Sequence, residues 1–176
     1  MKKQLKVIEV ISSVSALLSK ILLAFDSIVG WPFSLIGYVL ISIYNLLRKD
    51  TMLAVTVTGL AGMSAFGWYK WSNEIAGLFF WDYIVLGITF VFALFVYIRT
   101  SRKGGLMGHI QGLITVAVIS AFLMLGYKIF VGGWIALIVS HLMLAFFYWK
   151  RSAKYYVVLQ IISIIIAAIK VYGLIG

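Results

Sequence analysis

The sequence predicts an all-α integral membrane protein with seven transmembrane helices, arranged as two parallel three-helix bundles joined by a linker helix. Three observations support this class. The 176 residues are 64% hydrophobic and 11% charged, with a mean hydropathy of +1.10, which is more apolar surface than a soluble domain of this size can bury. The apolar residues form seven runs of roughly 20 residues, the length that crosses a bilayer. These runs do not alternate apolar and polar residues, as the strands of a membrane barrel would.

The seven predicted spans follow one another with short breaks. The first span starts after a basic N-terminus and has no convincing small-residue cleavage site, so it is predicted to be a retained helix rather than a signal peptide. Pro32 falls in the first turn of the second span, where its missing N–H costs little. The segments Arg48-Lys49-Asp50 and Lys150-Arg151-Ser152 end the second and sixth spans, and the glycine-rich stretch 99–108 is predicted to be a linker. The predicted spans are about 7–25, 28–47, 51–72, 77–98, 108–128, 132–149 and 155–174.

The Lys and Arg residues fall mostly on one predicted side of the membrane. A formal net charge of +10 suggests nucleic acid in a soluble chain, but in a chain this apolar it indicates basic loops, and no nucleic-acid partner is expected. The N-terminus and the second, fourth and sixth loops carry 11 of the 15 Lys and Arg residues: Lys2, Lys3, Lys6, Arg48, Lys49, Arg99, Arg102, Lys103, Lys150, Arg151 and Lys154. The positive-inside rule therefore predicts a cytoplasmic N-terminus.

Two similar segments indicate an internal duplication. Residues 30–49 read GWPFSLIGYVLISIYNLLRK, and residues 133–152 read GWIALIVSHLMLAFFYWKRS. Each begins with Gly-Trp and reaches a basic pair near its end. An offset of 103 residues aligns Trp31 with Trp134, Tyr38 with His141, and Asn45 with Tyr148. Coincidence between two helix starts that each place a Trp at the membrane interface is the alternative.

The same offset predicts the domain organisation. It overlays the first three spans on the last three, and equivalent spans point the same way because they lie four apart. The fourth span has no counterpart and is predicted to link the halves. The predicted domains are a first bundle at 1–72, a linker helix and loop at 73–107, and a second bundle at 108–176.

The residues that enzymes need are scarce. The chain has no Cys and only five acidic residues, which excludes thiol chemistry and makes paired-carboxylate catalysis improbable. It contains no H-E-x-x-H motif, no phosphate-binding loop and no nucleophile elbow. We therefore expect no enzyme activity, no catalytic residue, no cofactor and no metal site.

The segments GWPFSLIGYVLISIYNLL at 30–47 and GMSAFGWYKW at 62–71 resemble the PnuC-type vitamin transporters, whose best-known members carry nicotinamide riboside. In that family a Trp-Pro-Phe opens one span and the next ends in Gly-Trp-Tyr-x-Trp. Relatives also carry Trp-x-x-Trp-x-x-x-Asn in the sixth span, where this chain has Trp134, Leu137 and His141. The resemblance implies a 3+1+3 helix arrangement like that of the SWEET transporters, a homotrimer, and a bacterial inner membrane location. Relatives are expected to keep the Gly-Trp-Tyr-x-Trp end in the cytoplasm, whereas the charges here place it outside.

Eight residues are candidates for binding a vitamin or nucleoside. Such a ligand requires a flat aromatic surface and a few hydrogen-bonding groups, and a cationic pyridinium ring is attracted to an aromatic face. The aromatic candidates are Trp31, Trp68, Trp71 and Trp134. The hydrogen-bonding candidates are Tyr38, Asn45, His141 and Gln160. The alternative roles are interface anchoring for the Trp residues and hydrogen bonds across helices for the polar ones.

These features predict a transporter that facilitates uptake of a nicotinamide riboside-like vitamin or nucleoside by alternating access. Thiamine and riboflavin are alternative substrates. The expected partners are this small molecule and the lipid bilayer. A scaffold or regulatory subunit that kept the fold without transporting is the alternative function, favoured by Leu137 and His141 at the positions of the family's Trp and Asn.

Overall fold

Helices account for nearly all of the described chain. A computed structural model describes residues 2–75, 78–150 and 154–176, and these contain no β-strand. Their six helices are α1 (Lys2–Ala24), α2 (Gly30–Leu47), α3 (Thr51–Ser72), α4 (Phe80–Gly126), α5 (Phe130–Lys150) and α6 (Lys154–Ile175). Because α4 contains two spans, Phe80–Arg102 and Gly104–Gly126, seven described segments are long and apolar enough to cross a membrane. The predicted all-α membrane class is confirmed.

The helix α4 is a hairpin rather than a straight rod. Gly105 has φ 52° and ψ −141°, outside the helical region. A Cβ placed on Gly112 would lie 2.7 Å from Cδ2 of Tyr97, although 15 residues of straight helix would separate them by about 22 Å. The connection between the two spans falls within the predicted linker 99–108, and the chain is helical on both sides of Gly105. The glycines allow a sharp reversal and a close helix crossing instead of forming a loop.

The chain divides into two compact units, Met1–Asn73 and Glu74–Gly176. The first contains α1 to α3 and the second contains α4 to α6. The predicted three-part division at residues 72 and 107 stays a prediction.

Hydroxyl groups and small residues hold the first unit together. Ser15 donates a hydrogen bond of 2.7 Å to the Phe33 carbonyl, which joins α1 to α2. Ser34 and Ser64 share a hydrogen bond of 2.8 Å between α2 and α3. Ser42 donates to the Ala54 carbonyl at 3.2 Å, also between α2 and α3. Such contacts are how helices associate in lipid, where apolar side chains gain little by meeting one another.

Each unit contains the same backbone turn before its Gly-Trp helix. In the first unit, Ser27 N–H donates to the Leu22 carbonyl at 2.9 Å, and Asp26 has φ 55°. In the second, Ile129 N–H donates to the Met124 carbonyl at 2.8 Å, and Lys128 has φ 60°. Both are Schellman motifs, in which a left-handed residue closes the helix. Four positions separate Asp26 from Gly30 and five separate Lys128 from Gly133, so the offset between the repeats is 102 before the turn and 103 after it.

Candidate functional site

Three of the predicted residues share one face of α2. Trp31, Tyr38 and Asn45 are seven residues apart in turn, and a helix returns to nearly the same face every two turns. Trp31 and Asn45 are buried, and Tyr38 is partly exposed. The Asn45 amide donates to the Ile41 carbonyl at 2.8 Å, so part of its hydrogen-bonding capacity is used within its own helix. About 10 Å separates successive members along the helix axis, so the three residues together run through most of the membrane depth.

Trp31 is packed against α3 through a glycine. Its indole is 0% exposed, and a Cβ on Gly67 would lie 2.6 Å from its Cε3 atom. The ring of Trp71, which is also buried, approaches Trp31 edge-on at 5.6 Å between centroids. Complete burial in the protein differs from what an anchor at the lipid interface would show, because such an anchor faces headgroups.

The C-terminal end of α3 carries one predicted residue on the surface and one buried lysine that was not predicted as a site residue. Trp68 is 42% exposed, away from the buried Trp31–Trp71 pair. Lys70 is 1% exposed, and its Nζ lies 6.0 Å from the centroid of the Phe66 ring. An ionisable residue inside an apolar span is a functional candidate by default, and this is the signal by which the sequence could have identified Lys70.

The α5 helix repeats the arrangement of α2. Trp134, His141 and Tyr148 are again seven residues apart, at the positions equivalent to Trp31, Tyr38 and Asn45. Trp134 is 1% exposed, and its indole N–H has no hydrogen-bond partner among the described residues. A buried donor left without a partner costs about 1–3 kcal/mol, so this N–H is suited to pairing with a ligand or a water molecule.

His141 and Gln160 form a buried pair between α5 and α6. The Nδ1 atom of His141 lies 2.6 Å from Oε1 of Gln160, and both side chains are 5% exposed. The sequence predicted each as a separate substrate contact. Their pairing depends on the antiparallel register of α5 and α6, which the sequence did not reveal.

A second pair of side chains between α5 and α6 was not predicted from the sequence. Tyr148 and Tyr156 stack with their centroids 4.9 Å apart and their planes at 22°. Phe147, which is buried, meets Tyr148 edge-on at 5.7 Å. The duplication aligned Tyr148 with Asn45, and this alignment was the signal that could have included Tyr148 in the predicted site.

An open apolar depression of about 420 Å³ lies elsewhere in the second unit. It is lined by Ile138, Ala168, Val171, Tyr172, Ile175 and Gly176. None of the predicted site residues contributes to it. Its mostly aliphatic lining suits a lipid chain better than a nucleoside, which requires hydrogen-bonding groups.

Comparison with known proteins agrees with the resemblance drawn from the motifs. The family model described as nicotinamide mononucleotide transporter matches residues 6–175, which confirms the PnuC-type resemblance. No curated protein and no solved structure shows a significant match to the chain. A transporter family with seven apolar helices indicates a multi-pass membrane protein that is not an enzyme and that binds a small-molecule substrate. The chain therefore belongs to the nicotinamide mononucleotide transporter family and is a membrane transporter.

Proposed function

We propose that the protein facilitates uptake of nicotinamide riboside, or a closely related nucleoside, by alternating access. The observation that carries this proposal is the repeated face of aromatic and polar residues on α2 and α5. Each face places a buried Trp near the start of its helix, followed by a hydrogen-bonding residue two turns later. A nucleoside has an aromatic base and a hydroxylated sugar, and these two kinds of surface match it.

The buried Trp134 supports a polar ligand in particular. Its N–H has no partner among the described residues, and His141 follows about 10 Å along the same face of α5. This separation is comparable with the length of a nucleoside. A purely structural role for Trp134 would leave the cost of its buried donor unexplained.

Uptake into liposomes tests the proposal directly. We expect purified protein to carry radiolabelled nicotinamide riboside, and to carry thiamine and riboflavin less well. Saturable uptake that excess unlabelled nicotinamide riboside abolishes would support the assignment. Uptake no faster than in empty liposomes for all three vitamins would refute it.

A scaffold that kept the fold is the second candidate, and Leu137 favours it. This residue is buried at the position where relatives carry a second Trp, so one aromatic surface is replaced by an apolar side chain. Quenching of Trp fluorescence in detergent separates the two functions. Nicotinamide riboside should quench a transporter whose binding site contains Trp134, whereas a scaffold should not respond.

We further propose a bacterial inner membrane location, a cytoplasmic N-terminus and a homotrimeric assembly. The distribution of Lys and Arg supports the orientation, and the family resemblance supports the location and the assembly. Light scattering of the detergent-solubilised protein would measure the number of subunits. A monomeric mass would refute the trimer without affecting the transport proposal.

A further inference from the structure

The hydrogen bond between His141 and Gln160 determines which nitrogen of the imidazole carries the proton. Oε1 of Gln160 can only accept, and it lies 2.6 Å from Nδ1 of His141. Nδ1 must therefore be the donor, and a neutral imidazole then has its lone pair on Nε2. We propose that Gln160 is a positioning residue that fixes His141 as a hydrogen-bond acceptor, and that this acceptor selects substrates with an N–H donor, such as the carboxamide of nicotinamide riboside. This inference rests on the proposed function.

Burial makes the selection strong. Both side chains are 5% exposed, so water cannot readily replace a substrate group that fails to pair. A site with a buried hydrogen-bonding group rejects an analogue that leaves the group unsatisfied. Nicotinic acid riboside carries a carboxylate where nicotinamide riboside carries a carboxamide. Its oxygens would face the Nε2 lone pair, so acceptor would meet acceptor.

The residue type matters because the family pattern has Asn where this chain has His141. An Asn side chain has both a donor and an acceptor, and rotation of its amide exchanges them. It can therefore pair with a carboxamide or with a carboxylate. A neutral imidazole whose Nδ1–H is already bound to Gln160 offers only an acceptor. We infer that this chain is more selective for the amide than the Asn pattern would be.

The first test measures the tautomer without using transport. The chain has two His residues, and the His109→Gln variant leaves His141 alone. With ¹⁵N-labelled His, we expect a pyrrole-type signal for Nδ1 and a pyridine-type signal for Nε2. The Gln160→Met change in this background should reduce that preference, because Met has a similar volume and a much weaker acceptor. A pyridine-type Nδ1 and a pyrrole-type Nε2 before the change would overturn the inference.

The second test measures selectivity. We expect the protein to bind nicotinamide riboside about 10- to 100-fold more tightly than nicotinic acid riboside, from the cost of an unpaired buried group. Gln160→Met and His141→Asn should each reduce this ratio several-fold, while thermal melting monitors whether the variants remain folded. An unchanged ratio in folded Gln160→Met would overturn the inference and leave the proposed function intact. Failure of the unaltered protein to bind either riboside would refute the proposed function and the selectivity together, whereas the tautomer signals are read independently.

Discussion

Replacing Gly67 with Ala should force the buried Trp31 indole out of its position. The new Cβ would lie 2.6 Å from Cε3 of Trp31, and the ring has no exposed edge into which it can move freely. Overpacking of this kind costs about 1–3 kcal/mol. The change also gains about 1 kcal/mol of helix propensity, because Ala is a better helix former than Gly. The net effect on the free energy of unfolding is therefore smaller than the packing cost alone.

A matched control removes the propensity term. Gly62 lies in the same helix, and a Cβ there would meet nothing within 4 Å, so Gly62→Ala receives the propensity gain without the collision. The difference between the two variants isolates the packing cost of about 1–3 kcal/mol. For a chain of this size, it corresponds to a melting temperature about 2–12 °C lower for Gly67→Ala than for Gly62→Ala.

Thermal melting in detergent, monitored by Trp fluorescence, measures this difference in melting temperature. The same samples titrated with nicotinamide riboside report the ligand affinity, which we expect to fall in Gly67→Ala because the indole is displaced, and to stay unchanged in Gly62→Ala. Equal melting temperatures for the two variants would show that Trp31 does not rest on Gly67. Equal affinities together with different melting temperatures would remove Trp31 from the proposed site.

Three further predictions concern the orientation, the α4 hairpin and a tyrosine. In intact cells, a membrane-impermeant maleimide should label Ser72→Cys but label Ser101→Cys only after permeabilisation, because the proposed orientation puts the basic loops in the cytoplasm; the chain has no Cys to interfere. Gly112→Ala should destabilise the protein by about 1–3 kcal/mol in a denaturant titration, since its Cβ would lie 2.7 Å from a ring carbon of the preceding span. Burial, and secondarily the Asp82 carboxylate, raise the pKa of Tyr127 well above its ordinary value. The contribution of Tyr127 to the free energy of unfolding should therefore be fully present below pH about 10. It should decline as the pH rises through the higher pKa of the folded state.

Each of these predictions has its own control. Reversed labelling of the two cysteines would establish the opposite orientation, which is the one expected of relatives. Gly87→Ala, where a Cβ meets nothing within 4 Å, should be neutral or slightly stabilising, and a loss equal to that of Gly112→Ala would refute the close crossing. Asp82→Asn should lower the pKa of Tyr127, measured as the phenolate absorbance that Tyr127→Phe removes. An unchanged titration would show that the carboxylate does not act on it.

Helices could be predicted from this sequence because length and hydropathy determine which segments cross a membrane. The predicted spans 28–47 and 51–72 differ from α2 and α3 by at most two residues at either end. The helical form of the connection at 99–108 could not be predicted, because its glycines suggest a loop when they are counted along the chain. Only the structure shows that Gly105 reverses the helix, whereas Gly108 and Gly112 admit a neighbouring helix.

The candidate site was predictable residue by residue but not in its contacts. An aromatic residue seven positions before a polar one is visible in the sequence, so Trp31, Trp134 and His141 could be selected. The contact between His141 and Gln160 depends on the axial register of α5 against α6. Helix packing determines this register. The support of Trp31 by Gly67 depends equally on tertiary packing, because a glycine has no side chain whose chemistry would indicate a partner.

The residues with left-handed backbone at the helix ends are charged, although glycine would adopt that backbone at a lower energetic cost. Asp26, Lys49, Glu74 and Lys128 all have positive φ, a conformation that costs a non-glycine residue roughly 1–2 kcal/mol. Glycine at these four positions would relieve that cost. It would also remove ionised groups that oppose movement of the turns into hydrocarbon. A variant with these glycines should therefore be more stable to heat. Its turns should also be less strongly confined to the membrane surface, so its insertion should be less accurate.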